Sequence, residues 1–210
     1  MQGLLCDAHK LTHAAYLRRD PLAPARLGIQ RIASQSVLTR FFQGFPSAGA
    51  NLRCFRPLWR WSLDRLPSAR DGYTLDLDST RLLPEDGPQE GVAVGYTKQG
   101  LKPCLHPLLA VVAEVRLVAQ LRLRPGNASC GGNVTAFILD WWENLPRHIR
   151  LRGVRADSGF CLPELLALWE HLRLPYVVVA QLSQPIQRIL RGELPWTATD
   201  VSDTDVAELE

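Results

Sequence analysis

Two aspartates, Asp78 and Asp157, each stand at the end of a segment with the alternation of a β-strand. A Ser-Thr pair follows the first aspartate and a Ser-Gly pair follows the second. Ligands of open α/β sheets gather outside the carboxyl ends of strands, and two carboxylates crowded there are unfavourable unless a cation lies between them. Mg²⁺ and Mn²⁺ both take such oxygen ligands. The pair therefore predicts a metal site that activates an attacking water or hydroxyl for an in-line displacement.

Each aspartate also has a structural interpretation, because Asp directly after a strand is a common turn or helix-capping residue. For either residue alone, this second interpretation is favoured. The matching contexts of the two aspartates favour the metal site.

A phosphatase interpretation adds Asp76. The run LDLDST (75–80) resembles the Asp-x-Asp-x-Thr motif of haloacid-dehalogenase-type phosphatases, in which Asp76 would be the nucleophile and Asp78 the general acid/base. Such an enzyme also needs a lysine further along the chain and a paired acidic motif. The last lysine is Lys102, so the second half of the motif is unmatched.

Residues 72–210 have the pattern of a mixed α/β sheet, since antiparallel strands come first and helices then alternate with strands. Period-two alternation predicts strands, and three-to-four spacing predicts helices. The predicted strands are 73–80, 106–115, 116–124, 149–157 and 175–182, with a loop or short hairpin at 84–104, and the predicted helices are 132–144, 163–172 and 184–192.

Residues 1–70 form a basic, helical N-terminal region, with helices predicted within 8–43 and at 55–66, and Ser34 or Ser36 as a helix cap. The region holds eleven lysines and arginines against three aspartates, a net charge of +8, whereas the remainder is −5. This asymmetry indicates either a polyanion partner or a solvated helical face. We therefore expect a DNA-binding region at 1–70 and a catalytic domain at 71–210.

The composition argues against several other classes of protein. The five cysteines are odd in number and contain no CxxC pair, which disfavours a zinc ribbon and a disulfide framework. The opening residues lack the apolar run of a signal peptide, and the longest apolar stretches are too short to span a bilayer. We expect a soluble, cytoplasmic protein with reduced thiols and no membrane partner.

Several blocks of the sequence, taken in order, resemble the DDE-type transposases that bacterial insertion sequences encode. The block around Asp157 is the most specific, because RADSGF is followed by a helix and then by PYVVVAQL. A further match precedes the core, at YLRRDPLAPARLG and RIASQSVLTRF within 16–41. The matching core blocks are LDLDST (75–80), QEGVAVGYTKQGLKPCLHPLLAVVAE (89–114), LRPGNASCGGNV (123–134) and RGVRADSGFCLPELLALWEHLRLPYVVVAQL (152–182).

This resemblance implies a ribonuclease-H-like fold and Mg²⁺-dependent cutting of DNA at transposon ends, followed by joining of the freed 3′-hydroxyl to target DNA. Asp78 matches the first acid of the family and Asp157 the second. DNA is the implied partner, and a homodimer is a possible assembly. Cations near these acids are candidate contacts to the DNA backbone. They are Lys98, Lys102, Arg155, Arg188 and Arg191.

The third acid of the family is a Glu on a helix beyond the last matching strand. The glutamates after Glu170 are Glu193, Glu208 and Glu210, and their positions near a turn or in an acidic tail disfavour a closely placed metal ligand. We therefore expect a C-terminally truncated copy with little strand-transfer activity of its own. The alternative is a non-catalytic, DNA-binding remnant.

Overall fold

The computed structural model describes residues 10–26, 28–84, 89–129 and 131–208. Backbone contacts divide the chain into two compact units, Met1–Trp59 and Arg60–Glu210. The first unit is helical in its described part. Ser34 caps one of its helices by accepting a hydrogen bond from the Val37 N–H at 3.3 Å. The helices are α1 (Ala14–Arg19), α2 (Leu22–Arg26), α3 (Gln35–Gln43) and α4 (Ala48–Leu63), the last of which ends in the second unit.

The second unit is built on a mixed sheet, which in the described residues has five strands in the order β5-β4-β1-β6-β7. Strand β1 pairs antiparallel with β4 and parallel with β6. The strands are β1 (Tyr73–Ser79), β2 (Ala93–Thr97), β3 (Gly100–Cys104), β4 (Leu108–Val112), β5 (Leu117–Arg122), β6 (Leu151–Ala156), β7 (Tyr176–Val178), β8 (Thr197–Ala198) and β9 (Asp205–Val206). The helices are α5 (Val134–Glu143), α6 (Pro163–His171) and α7 (Gln184–Leu190).

The hydrophobic core lies on one face of the sheet. Alternate residues of β1, among them Leu75 and Leu77, are buried together with the partners opposite them on β4. Helices α5 and α6 complete the core with large side chains, including Trp141 and Trp169, which are almost fully buried. A mixed sheet flanked by helices in this strand order is a ribonuclease-H-like fold, as the sequence predicted.

The parallel pairing of β1 with β6 contains a one-residue bulge at its start. Tyr73 is paired with Leu151, but the next residue, Thr74, is paired with Gly153, so that Arg152 is skipped. Side chains in strands alternate between faces, and a one-residue slip therefore moves a whole strand to the other face. Beyond the bulge, Leu77 is opposite Ala156, and the apolar residues of both strands share the core face.

Three side-chain contacts stabilise the bulge. The N–H of Thr74 donates to both carboxylate oxygens of Glu114 at 3.0 Å, and the Arg152 Nε donates to the Thr74 hydroxyl at 2.8 Å. Arg152 also lies 3.7 Å from the Glu114 carboxylate. Gly72, just before the bulge, has φ +77°, and an added Cβ there would lie 2.9 Å from the backbone nitrogen of Arg152. The bulged backbone is thus held by a carboxylate from outside the strand pair.

Most of the predicted elements are present, with two differences at element ends. The hairpin predicted for 106–124 is β4 and β5 joined by a 3₁₀ turn at Ala113–Val115. The strand predicted at 175–182 is shorter, since β7 ends at Val178. Strand β7 pairs with β6 alone, and β6 ends at Ala156. The Val179 N–H donates to the Ala156 carbonyl oxygen at 3.2 Å, and this is where the pairing with β6 ends. The helix predicted at 55–66 begins earlier, at Ala48, and ends at Leu63.

The bulge contacts predict an acid-dependent loss of stability. Burial raises the pKa of Glu114, but its own N–H, the hydroxyl and N–H of Thr74 and the charge of Arg152 lower it more, so the pKa lies below its usual value. A lowered folded-state pKa contributes stability above the unfolded-state pKa of about 4.3, and this stability is lost as the pH falls through the folded-state pKa. We therefore expect the free energy of unfolding in urea to fall less steeply in Glu114→Gln than in the wild type below about pH 4.3.

An exposed glutamate is the matched control for this measurement. Glu193→Gln should keep the wild-type slope, because Glu193 is exposed in the segment that follows α7. Equal slopes for the wild type and Glu114→Gln would show that the carboxylate does not hold the bulge.

Candidate active site

Asp78 and Asp157 are neighbours at the carboxyl ends of two adjacent parallel strands. The last registered pair of β1 and β6 is Leu77 with Ala156, so the next residues of the two strands, Asp78 and Asp157, lie side by side. Neighbouring strands lie about 4.8 Å apart. Both side chains are exposed and point to the face opposite the core. The structure therefore brings together the two carboxylates that the sequence singled out.

Local hydrogen bonds orient each carboxylate. The Ser79 N–H donates to Oδ1 of Asp78 at 2.7 Å, and the Gly159 N–H donates to Oδ1 of Asp157 at 3.0 Å. Asp157 also caps the 3₁₀ turn Ser158–Phe160. The structural role foreseen for an Asp after a strand is thus real for Asp157. Each carboxylate uses one oxygen in this way among the described contacts, and a capping role leaves the second oxygen for a ligand.

The donor set fits a hard divalent cation, because it consists of two exposed carboxylates with their orientation fixed by backbone N–H groups. Within the part of the chain that the structure describes, no group of three or more His, Cys, Asp or Glu residues is placed to hold a metal ion.

Asp76 and Arg155 form an ion pair beside the two acids. They are opposite each other in the register of β1 and β6, and the Arg155 Nε and Nη2 donate to the two oxygens of Asp76, both at 2.7 Å. The hydrogen bond and charge of Asp76 raise the pKa of Arg155 above its already high value. Because both oxygens of Asp76 are occupied, the geometry disfavours Asp76 as a phosphatase nucleophile. Arg155 has an intramolecular partner, and its contact to DNA stays a prediction.

The three antiparallel strands continue beyond the sheet through isolated bridges. Leu82 pairs with Leu105, which pairs in turn with Pro125. This continuation places His106 near the end of β1, where it is buried and its Nδ1 lies 2.8 Å from the Ala128 carbonyl oxygen. Burial lowers the pKa of His106, and the charges of Arg81 and Arg124 lower it further, against the opposing effects of Ala128 and Asp78. His106 is therefore a neutral packing residue whose Nδ1–H donates to the carbonyl.

The β2–β3 hairpin is tied to this extension by two glycines. Arg81, three residues after Asp78, donates from Nη1 to the Gly126 carbonyl oxygen at 2.7 Å. A Cβ added to Gly95 would lie 2.6 Å from the Gly126 carbonyl carbon and closer still to its oxygen. A Cβ on Gly126 would lie 2.6 Å from the Cys104 sulfur. Backbone contact at Gly95 and Gly126 thus anchors the hairpin beside the end of β1.

The other predicted cations occupy separate elements. Lys98 is exposed at the tip of the β2–β3 hairpin, and Lys102, on β3, donates to the Gln99 side-chain oxygen at 2.6 Å. Arg188 is exposed on α7, and Arg191 is exposed just after it. The contacts of these side chains to DNA stay predictions.

The glutamates considered for a third ligand lie on other segments. Glu193 is exposed shortly after α7, and Glu208 is exposed after β9. Glu210 lies outside the described residues.

Comparison with known proteins identifies the family. A family model described as the transposase DDE domain, group 1, matches residues 1–205, nearly the whole chain. The protein belongs to this family of DDE transposases, as the sequence motifs indicated. A comparison with curated proteins finds no match. Among the described residues, no helix has both the length and the apolar character required to cross a bilayer.

Sequence reasoning missed the residues that connect the hairpin to the site. Arg81 was not singled out, although its place three residues after Asp78 and next to a Gly-rich hairpin was a usable signal. The glycines Gly95 and Gly126 lie in two of the motif blocks, but their contact is long-range. Local patterns do not show which glycines approach each other.

The close approach of the two glycines predicts a stability effect. Gly126→Ala would force a Cβ against the backbone of the hairpin and the Cys104 sulfur, and such overpacking costs about 1–3 kcal/mol. We expect this loss in the free energy of unfolding, measured by urea denaturation with tryptophan fluorescence. Gly49→Ala is the matched control, because an added Cβ there meets only ordinary van der Waals contacts. Gly49 lies in α4, and Ala favours a helix. A Gly126→Ala protein as stable as the wild type would show that the backbones are not in contact.

Proposed function

We propose that this transposase cuts DNA and joins the freed 3′-hydroxyl to a target through a divalent-metal reaction at Asp78 and Asp157. One observation carries the proposal. The bulged register of β1 and β6 places these two carboxylates side by side at strand ends, exposed and on one face. Two adjacent carboxylates without a bound cation are electrostatically unfavourable, and phosphoryl transfer to a hydroxyl is a reaction that such acids serve.

The chain's own residues would position the reacting groups. Asp78 and Asp157 would hold Mg²⁺ or Mn²⁺ through the oxygens that Ser79 and Gly159 leave unused. The ion, when bound, would polarise the attacking hydroxyl and stabilise the leaving oxygen. Asp76 is on the same face, and its ion pair with Arg155 neutralises its charge. The net negative charge available for a cation is therefore concentrated on the two site residues.

The family resemblance calls for a third acid, a Glu. Glu193 and Glu208 are exposed on segments that follow α7 and β9 rather than on a strand next to Asp78. We propose that the described residues supply two of the three acids and that strand transfer by this chain alone is weak. Restoration by an added partner that carries the third acid would fit the same proposal.

DNA binding without catalysis is a second candidate function, and the first unit favours it. A cleft of about 600 Å³ there is lined by guanidinium and hydroxyl groups from α1 and α3. Such groups bind phosphate oxygens without reading sequence. We propose that this cleft in the basic N-terminal region contacts the DNA backbone and that a homodimer brings two copies to two DNA ends. The lining residues are Ala15, Arg18, Ser34, Gln35, Ser36, Thr39 and Arg40.

Metal binding and DNA nicking test the catalytic proposal. We expect Mn²⁺ titration, followed by electron paramagnetic resonance, to detect a site that Asp78→Asn and Asp157→Asn each abolish. Any Mn²⁺-dependent nicking of supercoiled plasmid should disappear in the same variants. Asp76→Asn is the matched control, because Asp76 lies on the same strand but is engaged with Arg155, and it should retain Mn²⁺ binding.

Three outcomes would each contradict one part of the proposal. Mn²⁺ binding that survives both Asp78→Asn and Asp157→Asn would place the metal elsewhere. Robust strand transfer by the chain alone that Asp157→Ala abolishes would remove the argument for a missing third acid. Hydrolysis of p-nitrophenyl phosphate that Asp76→Asn abolishes would favour the phosphatase interpretation.

A further inference from the structure

The β2–β3 hairpin has two chemically different faces. Cross-strand partners in an antiparallel pair share a face, and the pairs Gly95–Lys102 and Ala93–Cys104 form the inner one. The pairs Val94–Pro103 and Tyr96–Leu101 form the outer one. The inner face is largely buried, whereas Tyr96 and Leu101 are each 73% exposed and Val94 is 58% exposed.

This arrangement is unusual for a hairpin that only contacts water. A sheet with one solvated face normally places polar residues on it, and an exposed apolar cross-strand cluster indicates a binding surface. The inner face cannot exchange with the outer one, because Gly95 lies against the Gly126 backbone, where no larger residue fits. The apolar face is therefore fixed outwards.

The electrostatics of the hairpin indicate a polyanion as the occupant. Residues 93–104 contain Lys98 and Lys102 and no acidic residue. Lys98 lies in the turn next to the strand that carries Tyr96, and it is exposed. Lys102 lies on the inner face, so Lys98 is the cation next to the outer face. An aromatic ring and an aliphatic side chain beside a lysine match the combination that binds unpaired bases and their phosphates.

The hairpin is also continuous with the proposed catalytic edge. Arg81 follows Asp78 by three residues and bonds to the Gly126 carbonyl oxygen against which Gly95 packs. A strand end held at Asp78 and Asp157 would therefore be bound by the same rigid framework that carries the hairpin. The outer face is small, with four side chains, whereas a stable interface between protein copies requires about 800 Å² from each partner. DNA therefore fits this face better than a second copy of the chain.

We propose that Tyr96 and Leu101 form a base-packing surface for the transposase's DNA substrate, with Lys98 on the adjacent phosphate. Tyr96 would stack on an unpaired base next to the strand end, and Leu101 would pack against the edge of the same base. The proposal rests on the proposed DNA-cutting function, because it assigns these residues to the substrate of that site.

The test measures the binding of the full chain to a dye-labelled duplex with a short single-stranded overhang that contains 2-aminopurine. We expect Tyr96→Ala to weaken binding about 10-fold and Leu101→Ala to weaken it as well. The slope of log affinity against log salt should be unchanged in both variants, because neither residue contacts a phosphate. Tyr96→Phe should bind like the wild type. Wild-type protein should quench the 2-aminopurine fluorescence through stacking, and Tyr96→Ala should not. Lys98→Ala should instead reduce the salt slope by about one contact.

Trp196→Ala is the matched control, because Trp196 is another exposed aromatic residue of the second unit, and it should leave affinity and quenching unchanged. Salt-dependent binding by the wild type that Tyr96→Ala and Leu101→Ala leave intact would overturn the base-packing surface while leaving the proposed function standing. Failure of the wild-type chain to bind the probe at low salt would count against the proposed function itself. A change of oligomeric state in Tyr96→Ala, seen by size exclusion with unchanged DNA affinity, would assign the face to a protein partner.

Discussion

The skipped residue Arg152 determines the geometry of the second unit. If β6 had no bulge, the register set by Tyr73 and Leu151 would continue unshifted. Thr74 would then pair with Arg152, and Asp78 would be opposite Ala156. The charged side chain of Arg155 would then share a face with the buried Leu77, which is energetically costly. With the bulge, the apolar residues of β1 and β6 meet in the core, and their acids meet on the other face. Core formation and site formation thus depend on the same register, so stability of the core also maintains the acid pair.

The face of the sheet opposite the hydrophobic core carries several charged side chains, and the register of β1 and β6 also decides which of them form an ion pair. Asp76 and Asp78 are alternate residues along β1 and therefore share a face. Arg155 and Asp157 are likewise alternate residues at the end of β6, on the same face of the sheet. The bidentate pair of Asp76 with Arg155 removes one of the three carboxylates from competition for a cation. Its side chains are partly exposed, so its contribution to stability is small. Under the proposed function, its more important effect is to leave Asp78 and Asp157 as the carboxylates of this face that are available to a metal ion.

Local sequence patterns predicted the strands that carry the acids and the helices around them, because alternation and helical spacing are properties of neighbouring residues. The family motifs added the ribonuclease-H-like topology and predicted Asp78 and Asp157 as the two site acids. The register was beyond this reasoning, since it depends on a hydrogen bond between Thr74 and Glu114, forty residues apart. The length of β7 was overestimated for a related reason: PYVVVAQL has the composition of a longer strand, but its neighbour β6 ends where Asp157 begins a turn.

The anchoring of the β2–β3 hairpin fixes the proposed substrate-binding face, just as the register of β1 and β6 fixes the two acids. A site performs phosphoryl transfer only when the acids and the bound strand keep a fixed geometry. A hairpin attached by a flexible loop would not provide this. Here the bridges Leu82–Leu105–Pro125 continue the strands that contain Asp78 and its neighbours, and the contact of Gly95 with Gly126 attaches the hairpin to that continuation without an intervening side chain. The contact between Gly95 and Gly126 is made by backbone atoms, and the Arg81 side chain reinforces it by donating to the Gly126 carbonyl oxygen. Gly95 and Gly126 are therefore explained by close packing rather than by flexibility.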